Sequence, residues 1–377
     1  MLSQLLSFGY RTYRNHVISA ARSRCLEEGK HFDLENVVLL GDKQIKSLPH
    51  FLTRFKIPEG IGVEVYDLHF PSPLTLSSFK DDYGVIQRWT ELGLGGATVK
   101  TIMPTQRDGN PRPRLTSVKY EGKEHFLNAM GLPGPGLNES IQKLKNSHLF
   151  SMLGTVIGLS IGGTTLDEYK IVFDKLESLH GLRDNIVGIP FIGGYSKDFY
   201  YEINISCPNT SDGQQMSKNP ALLDELLFYM RTGEHRTESV IFVKFSPDSD
   251  DDTLIRLGKI VRKYDRTVID AGNSTTRTCE QVGLPPDAIS IGRGGLSGPA
   301  LYKRTKEMLE LLAPLHLPMI STGGIYCANQ VRELQGIAKK NNIAHLVGLA
   351  SAVVQDMYCI PRINEDLARN PVQGFAS

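Results

Sequence analysis

Tyr200–Thr210 reads YYEINISCPNT, and the way this stretch ends decides how the chain is read. Tyr200, Ile203 and Ile205 favour an extended strand. Pro208 has no N–H to offer a ladder, so the strand is predicted to stop near Cys207. Gathered at that stop are Asn204, Ser206, Cys207, Asn209 and Thr210, short polar groups crowded at one strand end. A strand serving only the core would finish in apolar residues or a plain turn. This one finishes in a hydrogen-bonding cup with one group able to act as a base. The alternative is an Asx-rich turn around a thiol that merely fills space.

Outward from this strand, short apolar runs alternate with longer helical ones. Strands are predicted at about 73–77, 96–101, 154–160, 200–206, 240–245, 266–271, 317–321 and 344–349. Helical runs lie between them, among them 167–179, 220–230, 252–263, 302–312 and 328–339. Eight such units fit a (β/α)8 TIM barrel better than an open sheet. In such a barrel the site lies at the C-terminal ends of the strands. The predicted ends are polar: Ser77, Ser78 and Lys80; Lys100 and Thr101; Asn273, Ser274 and Thr275; Thr322, Gly323 and Gly324; Ala350 and Ser351.

Lys244 stands inside the apolar run VIFVKF, among Ile241, Phe242, Val243 and Phe245. An ammonium there needs an anionic or electron-rich partner unless it snorkels from a strand edge. With Lys100 facing the same cup, an anionic ligand or a flavin ring that accepts negative charge is expected. The glycines after strand seven, with Ala350-Ser351 one strand on, read as a phosphate site. Gly294–Gly298 reads as a further glycine-rich loop. Gly109–Arg114 reads as stiff and extended, and Leu127–Pro133 as a loop over the cup.

Of 377 residues 40% are hydrophobic and 22% charged, an ordinary soluble balance, and a net charge of +1 excludes a general nucleic-acid binder. The 5 cysteines (25, 207, 279, 327 and 359) are odd in number and show no C-x-x-C pair. They argue against a disulfide scaffold or a metal centre and for a reducing compartment. No apolar run is long enough to span a membrane, and no secretory cleavage site is evident. Residues 1–60 read differently from the rest. Leu2, Leu5, Leu6, Tyr10, Tyr13 and Val17 form a helical stripe, a weaker helix follows, and Pro58-Glu59-Gly60 marks a boundary with a barrel over 61–377.

Seven linked segments, DGNPRPRL, LNAMGLPGPG, EINISCPNT, FVKFSPD, AGNSTT, GRGGLSG and STGGI, together resemble the dihydroorotate dehydrogenase family over about residues 61–365. The resemblance implies an FMN-bearing barrel that oxidises dihydroorotate to orotate for pyrimidine synthesis. It places Cys207 as the base. Asn128, Met130, Gly131, Leu132, Asn204, Asn209, Asn273 and Ser274 fall where the family holds the substrate. Ser78, Lys100, Thr101, Asn204, Lys244, Gly295, Thr322, Gly323, Gly324, Ala350 and Ser351 fall at the flavin and its phosphate, and no metal is implied. The implied reaction takes a proton from C5 and sends a hydride from C6 to flavin N5, so base and flavin lie on opposite faces of the substrate.

The pattern departs from the family in places. Ser77-Ser78-Phe79 replaces the usual Ala-Ala-Gly, Ala350 replaces a glycine, and Leu182–Tyr195 reads as an insertion. Class features are mixed. Cys207 and LPGPG resemble class 1, whose acceptors are soluble (fumarate or NAD), whereas the N-terminal extension and Asn209-Thr210 resemble class 2, which uses quinone. Residues 1–26 carry Arg11, Arg14, Arg22 and Arg24 with no acid before Glu27. That makes a basic amphipathic helix suited to anionic lipid, unless its apolar face packs on the barrel or it serves as an organelle-targeting segment. Peripheral membrane contact on the cytoplasmic side and a quinone acceptor are therefore expected. A homodimer is left open.

Overall fold

A computed structural model describes residues 2–29, 32–151, 154–181, 199–205, 219–233 and 236–371. Its strands are β1 (Val63–Val65), β2 (Leu68–Phe70), β3 (Leu74–Leu76), β4 (Gly96–Ile102), β5 (Leu115–Tyr120), β6 (Lys123–Asn128) and β7 (Val156–Ile161). These are followed by β8 (Phe199–Asn204), β9 (Val240–Phe245), β10 (Thr267–Ala271), β11 (Thr275–Thr278), β12 (Arg293–Ser297), β13 (Met319–Thr322) and β14 (His345–Leu349). Strands β3, β4, β7, β8, β9, β10, β13 and β14 close into a barrel, every neighbour parallel. These are the eight strands expected from the sequence.

Period-two alternation sorts each strand into two cores. Tyr201, Ile203, Ile241, Val243, Phe245 and Ile269 pack outward against the surrounding helices. Val156, Tyr200, Phe242, Val268, Ile320 and Leu346 turn inward and fill the lower barrel, where the antiparallel hairpin β1–β2 adds Val65, Leu68 and Phe70. The lower barrel is thus plugged with apolar groups, and polar side chains are left for the upper half. Lys244 shares its inward face with Phe242; Ile241, Val243 and Phe245 point to the other side of the sheet.

The glycine-rich segment at 294–298 and the first two residues of Leu127–Pro133 belong to an antiparallel sheet in the order β11-β12-β6-β5. Gly294–Gly298, expected as a loop, is mostly strand β12, and Asn128 closes β6 beside Gly295. The glycines serve close packing: a Cβ on Gly294 would lie 2.3 Å from the Asn128 carbonyl oxygen, and one on Gly295 2.1 Å from Ser274 Oγ.

At the N-terminus, α1 (Leu2–Glu27) and α2 (Leu34–Ser47) lie across the barrel mouth. Asp33 caps α2 by accepting from the Glu35 N–H. Ion pairs hold α2 down: Lys80 with Asp42, Lys46 with Asp82, and both Arg114 and Arg112 with Glu35. The face of α1 that docks is polar at its start. Ser3 donates to Glu365 and Ser7 donates to Asp356 at 2.6 Å, both beneath the helix, while Leu2, Leu5 and Phe8 are exposed. The predicted stripe therefore divides. Leu6 and Tyr10 pack on the core, Leu2 and Leu5 face away, and Tyr13 turns to α2, its hydroxyl accepting from Gln44 Nε2 at 2.7 Å.

Candidate active site

Above the apolar floor, the inward positions of β8, β9 and β10 are Glu202, Lys244 and Asp270, all nearly fully buried. Lys244 Nζ lies 3.6 Å from Glu202 Oε2 and 3.7 Å from Asp270 Oδ2. It also donates to Ser78 Oγ at 3.0 Å, and the Ser78 hydroxyl donates to Glu202 Oε1 at 2.5 Å. Thr322 Oγ donates to Asp270 Oδ1 at 3.1 Å. Burial alone would lower the Lys244 pKa, but the two carboxylates outweigh it and hold the ammonium above its ordinary value. Burial, with Glu202 beside it, pushes Asp270 up to about 8 against the pull of Lys244. The acid partners of Lys244 were missed in the sequence. The signal was present: Glu202 precedes Asn204 by two residues and so shares its inward face, as Asp270 does within VIDAG.

Around this cluster opens a cavity of about 640 Å3. The strand-end groups Ser78, Lys100, Asn204, Lys244, Asn273, Ser274, Thr322, Gly323, Gly324, Ala350 and Ser351 line it, together with Asn128, Met130 and Leu132 from the overlying segment. Three expected residues stand behind the wall. Thr101 accepts from Asn204 Nδ2 at 2.7 Å and so orients it. Gly131, at φ +72°, makes a turn in which a Cβ would strike Asn110. Gly295 packs against Ser274. Cys207 and Asn209 lie outside the described residues, as does the expected 182–195 insertion.

Lys100 is deeply buried; burial lowers its pKa, and Asp81, 3.5 Å away, counters this. Phe79 leans on Trp89 with ring centroids 5.8 Å apart and remains at the cavity edge. Ala350 has φ −138°, so no glycine is required there. Gly323 and Gly324 do have positive φ, +129° and +71°, and a Cβ on Gly324 would lie 2.3 Å from the Tyr302 N–H nitrogen. Ser77 Oγ, in the cavity wall, is buried with no hydrogen-bond partner among the described residues. A glycine turn, an orphan hydroxyl and a buried lysine at one concave wall suit a planar, phosphate-bearing cofactor.

The cavity does not end at the barrel. It continues between the helices, lined by Tyr10, Tyr13 and Val17 of α1 and by Val37, Val38 and Ile45 of α2. At its waist Arg114 makes a two-pronged pair with Glu35 at 2.8 and 2.9 Å, and Arg112 Nη2 reaches the same carboxylate at 2.9 Å. Among the described residues no group of His, Cys, Asp and Glu forms a metal site, and no helix is long and apolar enough to cross a membrane.

The protein-family model described as dihydroorotate dehydrogenase matches residues 61–370. A protein of Dechloromonas aromatica named dihydroorotate dehydrogenase (quinone) is 29% identical over 280 residues, 70% of this chain and 74% of that one. One of the same name from Chromobacterium violaceum is 26% identical over 327 residues, covering 82% and 85%. The crystal structure of the Eimeria tenella DHODH in complex with ferulenol superposes with a TM-score of 0.67 at 18% identity, over 88% of this chain and 89% of that chain.

Proposed function

The chain belongs to the dihydroorotate dehydrogenase family and oxidises dihydroorotate to orotate, and on that premise we propose that it does so with FMN in the barrel mouth and passes the electrons to a quinone. The observation that carries the quinone reading is the single cavity running from Lys244 out between α1 and α2. A soluble acceptor needs no apolar channel, whereas a quinone needs one that reaches the cofactor.

FMN, when bound, supplies the two-electron acceptor chemistry. The residues of this chain do the rest. Gly323, Gly324, Ala350 and Ser351 would hold the phosphate with backbone N–H groups, and the orphan Ser77 Oγ would be free to bond the cofactor. Lys244 and Lys100 place positive charge where the ring gains negative charge. Asn128, Asn204, Asn273 and Ser274 suit a flat ring carrying amides, because each amide side chain both donates and accepts. Cys207 is the base that takes the proton from substrate carbon, and Asn209 is a further substrate-binding residue. The loop Met130-Gly131-Leu132 meets the substrate carboxylate. Residues 1–60 form the lid and mouth of the channel, and 61–377 the catalytic barrel.

The exposed Leu2, Leu5 and Phe8 make the outer side of α1 a surface for the membrane in which quinone dissolves. The arginines contribute less than their number suggests. Arg14 pairs with Glu124 at 2.9 Å and Arg22 donates to Ser117 Oγ at 2.6 Å, so both are occupied within the protein. Apolar insertion, rather than charge, carries the attachment. The test is direct: the purified protein is expected to be yellow and to bleach with dihydroorotate in the absence of oxygen. A colourless protein that takes up no FMN contradicts the reading.

A further inference from the structure

Beneath the proposed flavin position lies more acid than Lys244 requires. One ammonium faces two buried carboxyl groups, its Nζ 3.6 Å from Glu202 Oε2 and 3.7 Å from Asp270 Oδ2. Two buried carboxyl groups beside one ammonium cannot both be ionised cheaply, because Lys244 balances only one charge, so the cluster keeps one proton, and burial with Glu202 beside it pushes the Asp270 carboxyl up. The other groups facing Asp270 leave this balance alone. Thr322 is a neutral donor, Ser78 links Lys244 to Glu202, and Gly348 of β14 carries no side chain. Tyr200, one layer below, is held protonated by burial and bonded to Thr98. Lys100 is engaged with Asp81.

We propose that Glu202 and Asp270 are a proton-sharing carboxyl pair that sets the charge Lys244 presents to the flavin, so that the reduction potential of the bound cofactor depends on pH through this pair. The inference rests on the flavin reading above. With the proton in place the cluster is neutral; without it the cluster is an anion beside a ring that gains negative charge on reduction. Negative charge on the reduced ring raises the pair's pKa, so between its value beside the oxidised ring and its higher value beside the reduced ring, reduction draws up to one proton from solvent onto the pair, in addition to any taken by the ring. The two residues act through Lys244 and are positioning residues. The titration belongs to the pair and not to either member.

The experiment is a redox titration of the FMN-loaded full chain from about pH 6 to about pH 9.5, in wild type, Asp270→Asn and Glu202→Gln. Wild type is expected to show a steeper pH dependence, by up to one extra proton per two electrons, in a window that opens near pH 8. Each single variant is expected to lose that extra slope, to match wild type at the acid end and to lie at higher potential at the alkaline end. Identical slopes in all three proteins overturn the proposal. A second arm needs no cofactor. Infrared spectra of the flavin-free wild type should show a buried protonated carboxyl at neutral pH that disappears at alkaline pH; its absence overturns the proposal even if neither variant folds. A chain that takes up no FMN counts against the proposed function, and the infrared arm then decides the carboxyl pair by itself.

Discussion

Lys244 has two carboxylates within 4 Å, at 3.6 and 3.7 Å, so deleting its charge affects the fold as well as the chemistry. Lys244→Met leaves at least one buried carboxylate without a cation. The expected loss is about 3–5 kcal/mol in urea unfolding, shrinking in acid as the second carboxyl protonates. An unaltered stability would mean that the cluster is already compensated by other groups. The wild-type carboxyl pair has its own pH signature. Asp270 has an ordinary value of 3.8 and a folded value of about 8. Between these the folded chain holds a proton that the unfolded chain has released, so this group makes the fold less stable as pH rises through that window. Asp270→Asn is expected to flatten that part of the stability curve; parallel curves for the two proteins would contradict it. Cys207→Ala is expected to keep FMN and orotate binding while slowing flavin reduction on the order of 100-fold, and wild-type reduction should quicken as pH rises towards the thiol's ordinary range, ~8.5. Unchanged kinetics in the alanine variant would remove Cys207 from the role.

Helix α1 shows what a helical pattern can and cannot tell. The spacing of Leu2, Leu5, Leu6, Tyr10, Tyr13 and Val17 correctly indicated a helix but not which face docks, because Ser3 and Ser7 find acid partners in the helix at Cys359–Arg369 and just before it. Those partners lie about 350 residues away in sequence, out of reach of any local pattern. The antiparallel sheet was hidden for a similar reason: Gly294 and Gly295 read as loop until β6 and Ser274 are packed against them. The barrel strands were legible because burial on both faces makes them continuous apolar runs between turns. Since Leu5 and Phe8 are exposed, Leu5→Asp with Phe8→Asp is expected to leave thermal stability within ~0.5 kcal/mol and to weaken vesicle binding. Wild-type binding should fall only modestly with salt, because Arg14 is paired with Glu124 and Arg11 lies 4.0 Å from Asp356. Full retention of vesicle binding by the double variant would move the membrane surface elsewhere.

Across the whole molecule, the barrel and the two helices enclose one space rather than two. The apolar plug below, the charged cluster above it, the strand-end amides and the channel between α1 and α2 follow one another along a single path. Strand ends carried enough chemistry in sequence to name many of the polar groups at the barrel end of the cavity. Alternation alone places Glu202 and Asp270 on the inward faces of their strands, but the register that brings both to Lys244 appears only in the closed barrel. The channel was invisible for a related reason, since it exists only where α2 is clamped over the mouth by Lys80–Asp42 and Arg114–Glu35. The measurement that tests the central claim most directly is the anaerobic reoxidation of dihydroorotate-reduced protein by a short-chain quinone, in the full chain and in a form lacking residues 1–26. The account predicts fast reoxidation of the full chain by quinone, little by fumarate or NAD, and a truncated form that is reduced normally but reoxidised slowly. Rapid reoxidation by fumarate or NAD with none by quinone, or equal quinone rates in the two forms, would contradict it.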